Sequence, residues 1–389
     1  MNNRATRREF LQHGARAALG AGLLPGAVLG VAADQTDPPS AVGRAPEMPP
    51  RLQEYRRGGM LYRRLGRTEI FASVLGVGAH TDPRFKRPAR EAGNELTEEG
   101  QMRRDRLVSR ALDLGVNLLD VYSYEAQYPP VAKMIERRRD RVIVSLKHDV
   151  RPNAGRLTSA HLDDRARLFG GHVDMYRIAR HDPFDGPFFE TWDALRKAKQ
   201  AGKIRATGLA SHNTNVMLAA LEQLDDLDFI LFPYNFIHAR ADYGEFLPAA
   251  IRKGIGLIAI KPLAAGSIVG LDPLARAGAA PEQAQLSVRG SSIHPDVVAR
   301  LTAALDRLPD ETLCQAALRF VYSLPFMSAT IPGMFQDYEL EDNYSALSRG
   351  LEMSRAELGA LGAARDLALS SRSGWLPDHY RWLDEQWRA

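Results

Sequence analysis

Only one cysteine, Cys314, occurs among 389 residues. That excludes an internal disulfide and any iron–sulfur cluster held by the chain's own thiols. Cys314 lies in "ETLCQAALRFVY", an amphipathic helical pattern in which a buried, inert thiol is expected. An excess of one charge is also missing. The net charge is +4, and Arg4, Arg7, Arg8 and Arg16 against Glu9 place +3 of it in the first 33 residues. The remainder is close to neutral, so no nucleic-acid surface is expected. A glycine-rich phosphate loop is absent as well: "GVGAHTDPRFKR" follows the first strand candidate and is not the G-x-G-x-x-G fingerprint of a doubly wound sheet. What remains is 45% apolar and 25% charged, the profile of a globular protein with a sizeable core.

The N-terminus reads as an address. "TRREFLQ" (6–12) carries paired arginines, and the Gly/Ala-rich apolar run "GARAALGAGLLPGAVLGVAA" follows it. This resembles a twin-arginine export signal, residues 1–33, cleaved near Ala33. It implies passage through the twin-arginine export machinery, a periplasmic or otherwise exported location, and no stable membrane span after cleavage. Residues 34–56 form a proline-rich linker.

From residue 57 the pattern changes. "MLYRRLGRTEIFAS" alternates around Gly66 as a hairpin would. Eight short apolar runs follow: "SVLGVG" (73–78), "NLLDV" (117–121), "RVIVSLK" (141–147), "VDMYRIA" (173–179), "IRATGLA" (204–210), "DFILFPY" (228–234), "GLIAIKP" (256–262) and "SATIPG" (328–333). Segments such as "RRDRLVSRALDLG" and "FETWDALRKAKQAGK" lie between them with apolar residues at helical spacing. Eight strands alternating with helices indicate an α/β fold, a (β/α)8 TIM barrel over residues 57–347 with an N-terminal hairpin. Residues 264–312 make a long loop over the barrel mouth. Residues 348–389, holding Trp375, Trp382 and Trp387, form a C-terminal helical and aromatic extension.

A barrel of this kind carries its chemistry at the C-terminal ends of the strands. Asp120 ends strand two and Lys147 strand three; Ala179 and His181 follow strand four. An Asp and a Lys on adjacent strands can pair, and such a lysine depresses the pKa of a nearby phenol, Tyr122 or Tyr124, making it a usable proton donor.

Here the chain resembles the aldo-keto reductase family. "YRRLGRTEIFASVLGVGAH", "GVNLLDVYSYE", "VIVSLK", "VDMYRIARHDP", "LRKAKQAGKIRATGLASHN", "IAIKPLAAG" and "ALRFVYSLPFMSATIPGM…LEDN" follow the family's order over about residues 60–345. "KPL" and "IPGM" are closest to a branch whose relatives often append a ferredoxin-like tail, here without the cluster. The resemblance implies reduction of a small aldehyde or ketone with NADP or NAD. It implies Asp120, Tyr124, Lys147 and a histidine as the catalytic set, with Tyr as proton donor. It also implies Ser211 and Asn213 on the nicotinamide, Lys261, Leu263 and Gly266 along the pyrophosphate, and Gly333 and Asn343 at the adenosine.

Several positions depart from the family. Its tyrosine stands five residues beyond the aspartate; Tyr124 stands four beyond, and Tyr122 is the alternative. The family histidine falls on Ala179; His181, two residues further on and on the same side of a strand, is the candidate catalytic histidine, with a solvated loop histidine as the alternative. The nicotinamide-stacking aromatic falls on Ile260. Where relatives carry a basic residue for the 2′-phosphate, this chain has Phe335 and Gln336, then Asp337 and Glu339. These departures permit a second reading, a ligand-binding barrel without the reaction. A third is a metal-dependent hydrolase using His80, His148, His181, His212 and His238, although strand one lacks a His-x-His pair. No metal is assigned in the leading reading.

Overall fold

The computed structural model describes residues 53–87, 95–149, 157–236, 245–263 and 311–359. The export signal, most of the linker, Gly266, His238, the loop 264–310 and the tryptophan-rich tail lie outside the described residues.

Eight parallel strands run in sequence order around one sheet: β4 (Val77–Gly78), β5 (Leu118–Tyr122), β6 (Ile143–Asp149), β7 (Val173–Ala179), β8 (Ile204–Ala210), β9 (Leu227–Pro233), β10 (Gly256–Ile260) and β11 (Met327–Ile331). The first and last meet through a single bridge between Leu75 and Thr330. There the Gly76 N–H donates to Thr330 O at 2.9 Å and the Thr330 N–H to Val74 O at 2.8 Å. The seam is tight: a Cβ on Gly78 would sit 3.0 Å from the Ile331 side chain. The expected barrel is therefore present, strand for strand.

Helices on the outside follow from capped, amphipathic segments. They are α1 (Glu98–Asp113), α2 (Tyr128–Ile135), α3 (Ser159–Leu168), α4 (Gly186–Gln200), α5 (Thr214–Gln223), α6 (Phe246–Arg252), α7 (Leu313–Tyr322) and α8 (Asp337–Ser345). Thr97, Asp185, Asn213 and Thr312 each accept a backbone N–H at a helix start, satisfying donors the first turn leaves over. Cys314 on α7 is buried, as its pattern indicates.

Strand parity sorts the core into two clusters. Leu118, Ile143, Met175, Ala206, Phe229, Ile258, Ala329 and Ile331 point into the barrel, whereas Leu119, Val144, Tyr176 and Ile178 pack outward with the helices. Phe229 fills the interior because Gly208 opposite has no side chain; a Cβ there would lie 2.5 Å from the ring. The hairpin is wider than expected. Residues 54–56, read as the end of a linker, belong to β1 (Glu54–Arg57), which pairs with β2 (Met60–Arg64), which pairs with β3 (Phe71–Ser73). Leu65, Ile70 and Ala72 of this unit join the interior cluster from below.

Candidate active site

Inward parity carries the polar side chains to the mouth. Above Leu118 comes Asp120; above Ile143 come Ser145, Lys147 and Asp149; above Met175 come Arg177 and Ala179. The Asp120 carboxylate is gripped by both ends of the Arg177 guanidinium, Nη1 to Oδ1 at 2.7 Å and Nη2 to Oδ2 at 2.9 Å. Arg177 Nη1 also donates to Ser145 Oγ at 2.8 Å. Both charges are nearly sealed, Asp120 at 4% and Arg177 at 1% exposure. The expected Asp120–Lys147 ion pair is thus replaced. Arg177 reaches the carboxylate from two strands away, and Lys147 Nζ instead bonds Asp149 Oδ1 at 2.7 Å.

Burial, reinforced by the Arg177 charge and partly offset by Asp149 and Asp120, holds the Lys147 ammonium below its ordinary pKa. That ammonium stands 3.9 Å from the centre of the Tyr122 ring, with the Arg177 guanidinium at 5.5 Å, the geometry of a cation–π pair. Tyr122 holds a left-handed backbone, φ 62°. A non-glycine residue there costs about 1–3 kcal/mol and persists only where its surroundings impose it. Tyr124 sits one layer out. Its ring stands edge-on to Tyr122 at 5.8 Å and to His80 at 6.0 Å, with Lys86 Nζ 5.2 Å from its centre. Burial and the neighbouring Tyr122 raise its pKa, and its hydroxyl hydrogen-bonds neither Lys147 nor His181.

His181 is drawn to the opposite side of the mouth. Its ring stacks on His212 at 4.5 Å with 7° between planes, and its Nδ1 accepts the His212 backbone N–H at 3.2 Å. An accepting Nδ1 leaves the proton of the neutral ring on Nε2. His212 Nε2 lies 3.2 Å from Lys261 Nζ. Desolvation, then the Lys261 charge, lowers the pKa of both imidazoles. Lys261, left-handed at φ 56°, is brought down to about 8 by burial and by Lys147, although solvent still reaches part of it.

The residues expected at the dinucleotide separate into two groups. Ser211 is fully buried, and its Oγ accepts the Asn213 N–H at 3.1 Å. Asn213 has both ends engaged: Oδ1 accepts from the Asn215 N–H at 2.9 Å, and Nδ2 donates to the His181 carbonyl at 3.1 Å. Leu263 is buried. Across the mouth, Gly333 opens on empty space, and Asn343 is buried on α8. Between them Glu339 Oε2 accepts the backbone N–H groups of Phe335 and Gln336, closing with a carboxylate the loop where the resemblance leads one to expect a basic residue. Of the five histidines weighed as metal ligands, His181 and His212 meet. Among the described residues no group of three His, Cys, Asp or Glu side chains could hold a metal.

Sequence reading missed Arg177, Asp149 and the Lys261–His212 contact. Arg177 and Asp149 carried a signal, charged side chains at inward parity on β7 and β6. Lys261 and His212 follow β10 and β8, two apart in the order, which no local spacing relates.

An eight-stranded parallel barrel with buried carboxylate, guanidinium and lysine and a half-buried phenol at the strand ends defines an enzyme-type (β/α)8 mouth. The aldo/keto reductase family model matches residues 92–363, and the chain belongs to that family of oxidoreductases. It is 22% identical to an uncharacterized oxidoreductase of Bacillus subtilis over 78% of this chain and 95% of that one. It is 24% identical to L-glyceraldehyde 3-phosphate reductase of Escherichia coli, covering 79% and 92%. It is 26% identical to a probable voltage-gated potassium channel subunit beta of Arabidopsis thaliana, covering 74% and 91%. The structure of an aldo-keto reductase from Bacillus halodurans superposes with a TM-score of 0.59 at 21% identity, over 78% of this chain and 95% of that one. The common fold is what this last likeness shows.

Proposed function

We propose that the protein reduces a small aldehyde or ketone with a nicotinamide dinucleotide, NADP or NAD, and that a phenol at the end of β5 protonates the carbonyl oxygen. The supporting observation is the strained Tyr122 with the Lys147 ammonium 3.9 Å from its ring. Positive charge at that distance favours the phenolate left after proton transfer, which lowers the barrier to donation. Tyr124, edge-on beside it, is the second phenol of the site. Arg177 holds Asp120, Asp149 holds Lys147, and the two bonds keep both cations beneath the phenol. His181, with a proton on Nε2, faces the mouth from the other side.

The mouth's lining supports a cradle for the dinucleotide. Lys261 is a cation whose charged form is disfavoured by its surroundings, so a pyrophosphate beside it and the buried Leu263 relieves that penalty. Gly333 leaves room for the adenosine end, Asn343 is its expected adenine-side partner, and Ser211 and Asn213 are the expected nicotinamide-side groups. When bound, the nicotinamide supplies the hydride. The N-terminal twin-arginine pattern further supports an exported, periplasmic protein that folds before it crosses.

The test is a pair of variants, Tyr122→Phe and Tyr124→Phe, assayed for carbonyl reduction and for tryptophan quenching by NADH and NADPH. Tyr122→Phe is expected to lower turnover by about 10²–10⁴-fold with quenching intact, and Tyr124→Phe to lower it far less. The reverse pattern moves the donor to Tyr124. Full activity in both overturns the phenol mechanism, and quenching without turnover in the unaltered protein favours a ligand-binding barrel.

A further inference from the structure

The buried stripe of α1 contains a charge. Gly100, Arg104, Leu107, Val108 and Ala111 face inward at helical spacing, and four of these five suit a core. Arg104 does not. It is 9% exposed, and its one hydrogen bond runs from Nη2 to the Gly78 carbonyl at 2.5 Å. Nε and Nη1 are buried with no partner, and among the described residues no carboxylate pairs with it. An unpaired buried guanidinium is among the costlier arrangements a protein can hold, and Arg is not relieved by giving up its proton under ordinary conditions.

Arg104 lines a small cleft, open to solvent, between α1, the segment after β4 and the segment after β11, with Thr81, Phe85, Arg103, Met334 and Phe335. The Thr81 hydroxyl is a second buried polar atom without a partner. Among the described residues of the wall the one carboxylate, Asp82, is already neutralised: Arg84 donates to both its oxygens, and Gln336 Nε2 donates to it at 3.1 Å. Phe85 is flanked by the guanidinium groups of Arg84 at 5.5 Å and Arg103 at 4.9 Å. The field is positive beyond the cleft as well. His80, which also lines the cleft and is reached by water, is held down to about 4 by desolvation first, then by Lys261, Lys86 and Arg104 against Asp120.

We propose that this cleft binds an anionic oxygen group, a carboxylate or a phosphate, with the Arg104 guanidinium as counter-charge and the Thr81 hydroxyl as a further donor. A planar guanidinium with two unused nitrogens matches two oxygens of such a group. The anion belongs to the carbonyl substrate, which would make that substrate a charged one, or to the 2′-phosphate of the dinucleotide. The binding itself stands apart from the reductase reading; the choice between these sources rests on it.

The experiment uses the full-length mature protein and inorganic phosphate and malonate as probes, read by calorimetry and by thermal midpoint. Both probes are expected to bind and raise the midpoint. Arg104→Met, which replaces an unpaired charge by an apolar side chain beside Leu107, is expected to be at least as stable in anion-free buffer and to bind at least tenfold more weakly. Should it fail to fold, Arg104→Lys carries the test, with a threefold or greater loss expected because a point charge replaces the fork. Absence of binding to the unaltered protein, or unchanged affinity in the variant, overturns the proposal. Two arms assign the source: a tenfold weaker NADPH with NADH unchanged identifies the dinucleotide, and a tenfold higher KM for a carboxylated short aldehyde over a plain one identifies the substrate. Anion binding kept without turnover counts against the reductase reading alone.

Discussion

Replacing Arg177 is the most direct probe of how the mouth is built. In Arg177→Met, the Asp120 carboxylate loses two bonds of 2.7 and 2.9 Å at 4% exposure. Removing one partner of a buried pair costs about 3–5 kcal/mol. The figure for this variant falls near 3, because Lys147 already acts on Asp120 electrostatically and can take over part of the pairing. Asp120→Asn strands the guanidinium, which keeps Ser145 Oγ at 2.8 Å and the Leu146 carbonyl at 3.4 Å but cannot deprotonate. Its cost falls near 5 kcal/mol by the same range. The double variant Asp120→Leu, Arg177→Met removes both charges and should lie within about 2 kcal/mol of the parent, since a buried pair exchanged for apolar groups is often close to neutral. Urea unfolding followed through Trp192, buried on α4, measures all three. Single costs below about 1 kcal/mol, or costs that simply add in the double variant, would refute the reasoning. The Arg177 single variant should also raise the Lys147 pKa, since it removes a charge that lowers it.

Three further outcomes follow. Dinucleotide binding should be independent of pH below about 8, the Lys261 pKa, and weaken by up to tenfold per unit above it, because the anion prefers the protonated lysine; calorimetry between pH 7 and 10 checks this. In the dinucleotide-free protein the same depressed pKa makes the unfolded chain the better proton binder from about 8 up to the ordinary lysine value of about 10.4. Stability from this group therefore rises with pH across that window and is lowest below it, seen in thermal midpoints of Lys261→Met against the parent. Gly208→Ala should cost about 1–3 kcal/mol by overpacking, since its Cβ would meet the Phe229 ring at 2.5 Å; unchanged stability would mean the ring has room to move.

The barrel was legible because alternation and helical spacing are local properties. β7 and β8 run over the same residues that their apolar patterns mark, 173–179 and 204–210. The positions of Asp120, Lys147 and His181 were legible for the same reason, since parity and strand ends place them. Their partners were not. Arg177 grips Asp120 across two strands, and His181 turns to His212 rather than towards Tyr124. Such choices depend on three-dimensional reach and on which cation loses least by desolvation, neither of which is written in residue spacing. Residues 54–56 were misassigned to the linker because a polar edge strand, with exposed Glu54, Arg56 and Arg57, has no apolar face to announce it.

The seam between β4 and β11 has a consequence of its own. A cylinder fastened by one bridge and two backbone hydrogen bonds resembles a hoop with a small clasp, and the clasp is where slow amide exchange should begin to fail first. The segments that leave those two strands are also the walls around Arg104. Any guest held there presses both ends of the hoop together, so occupancy of the cleft and integrity of the cylinder become a single equilibrium.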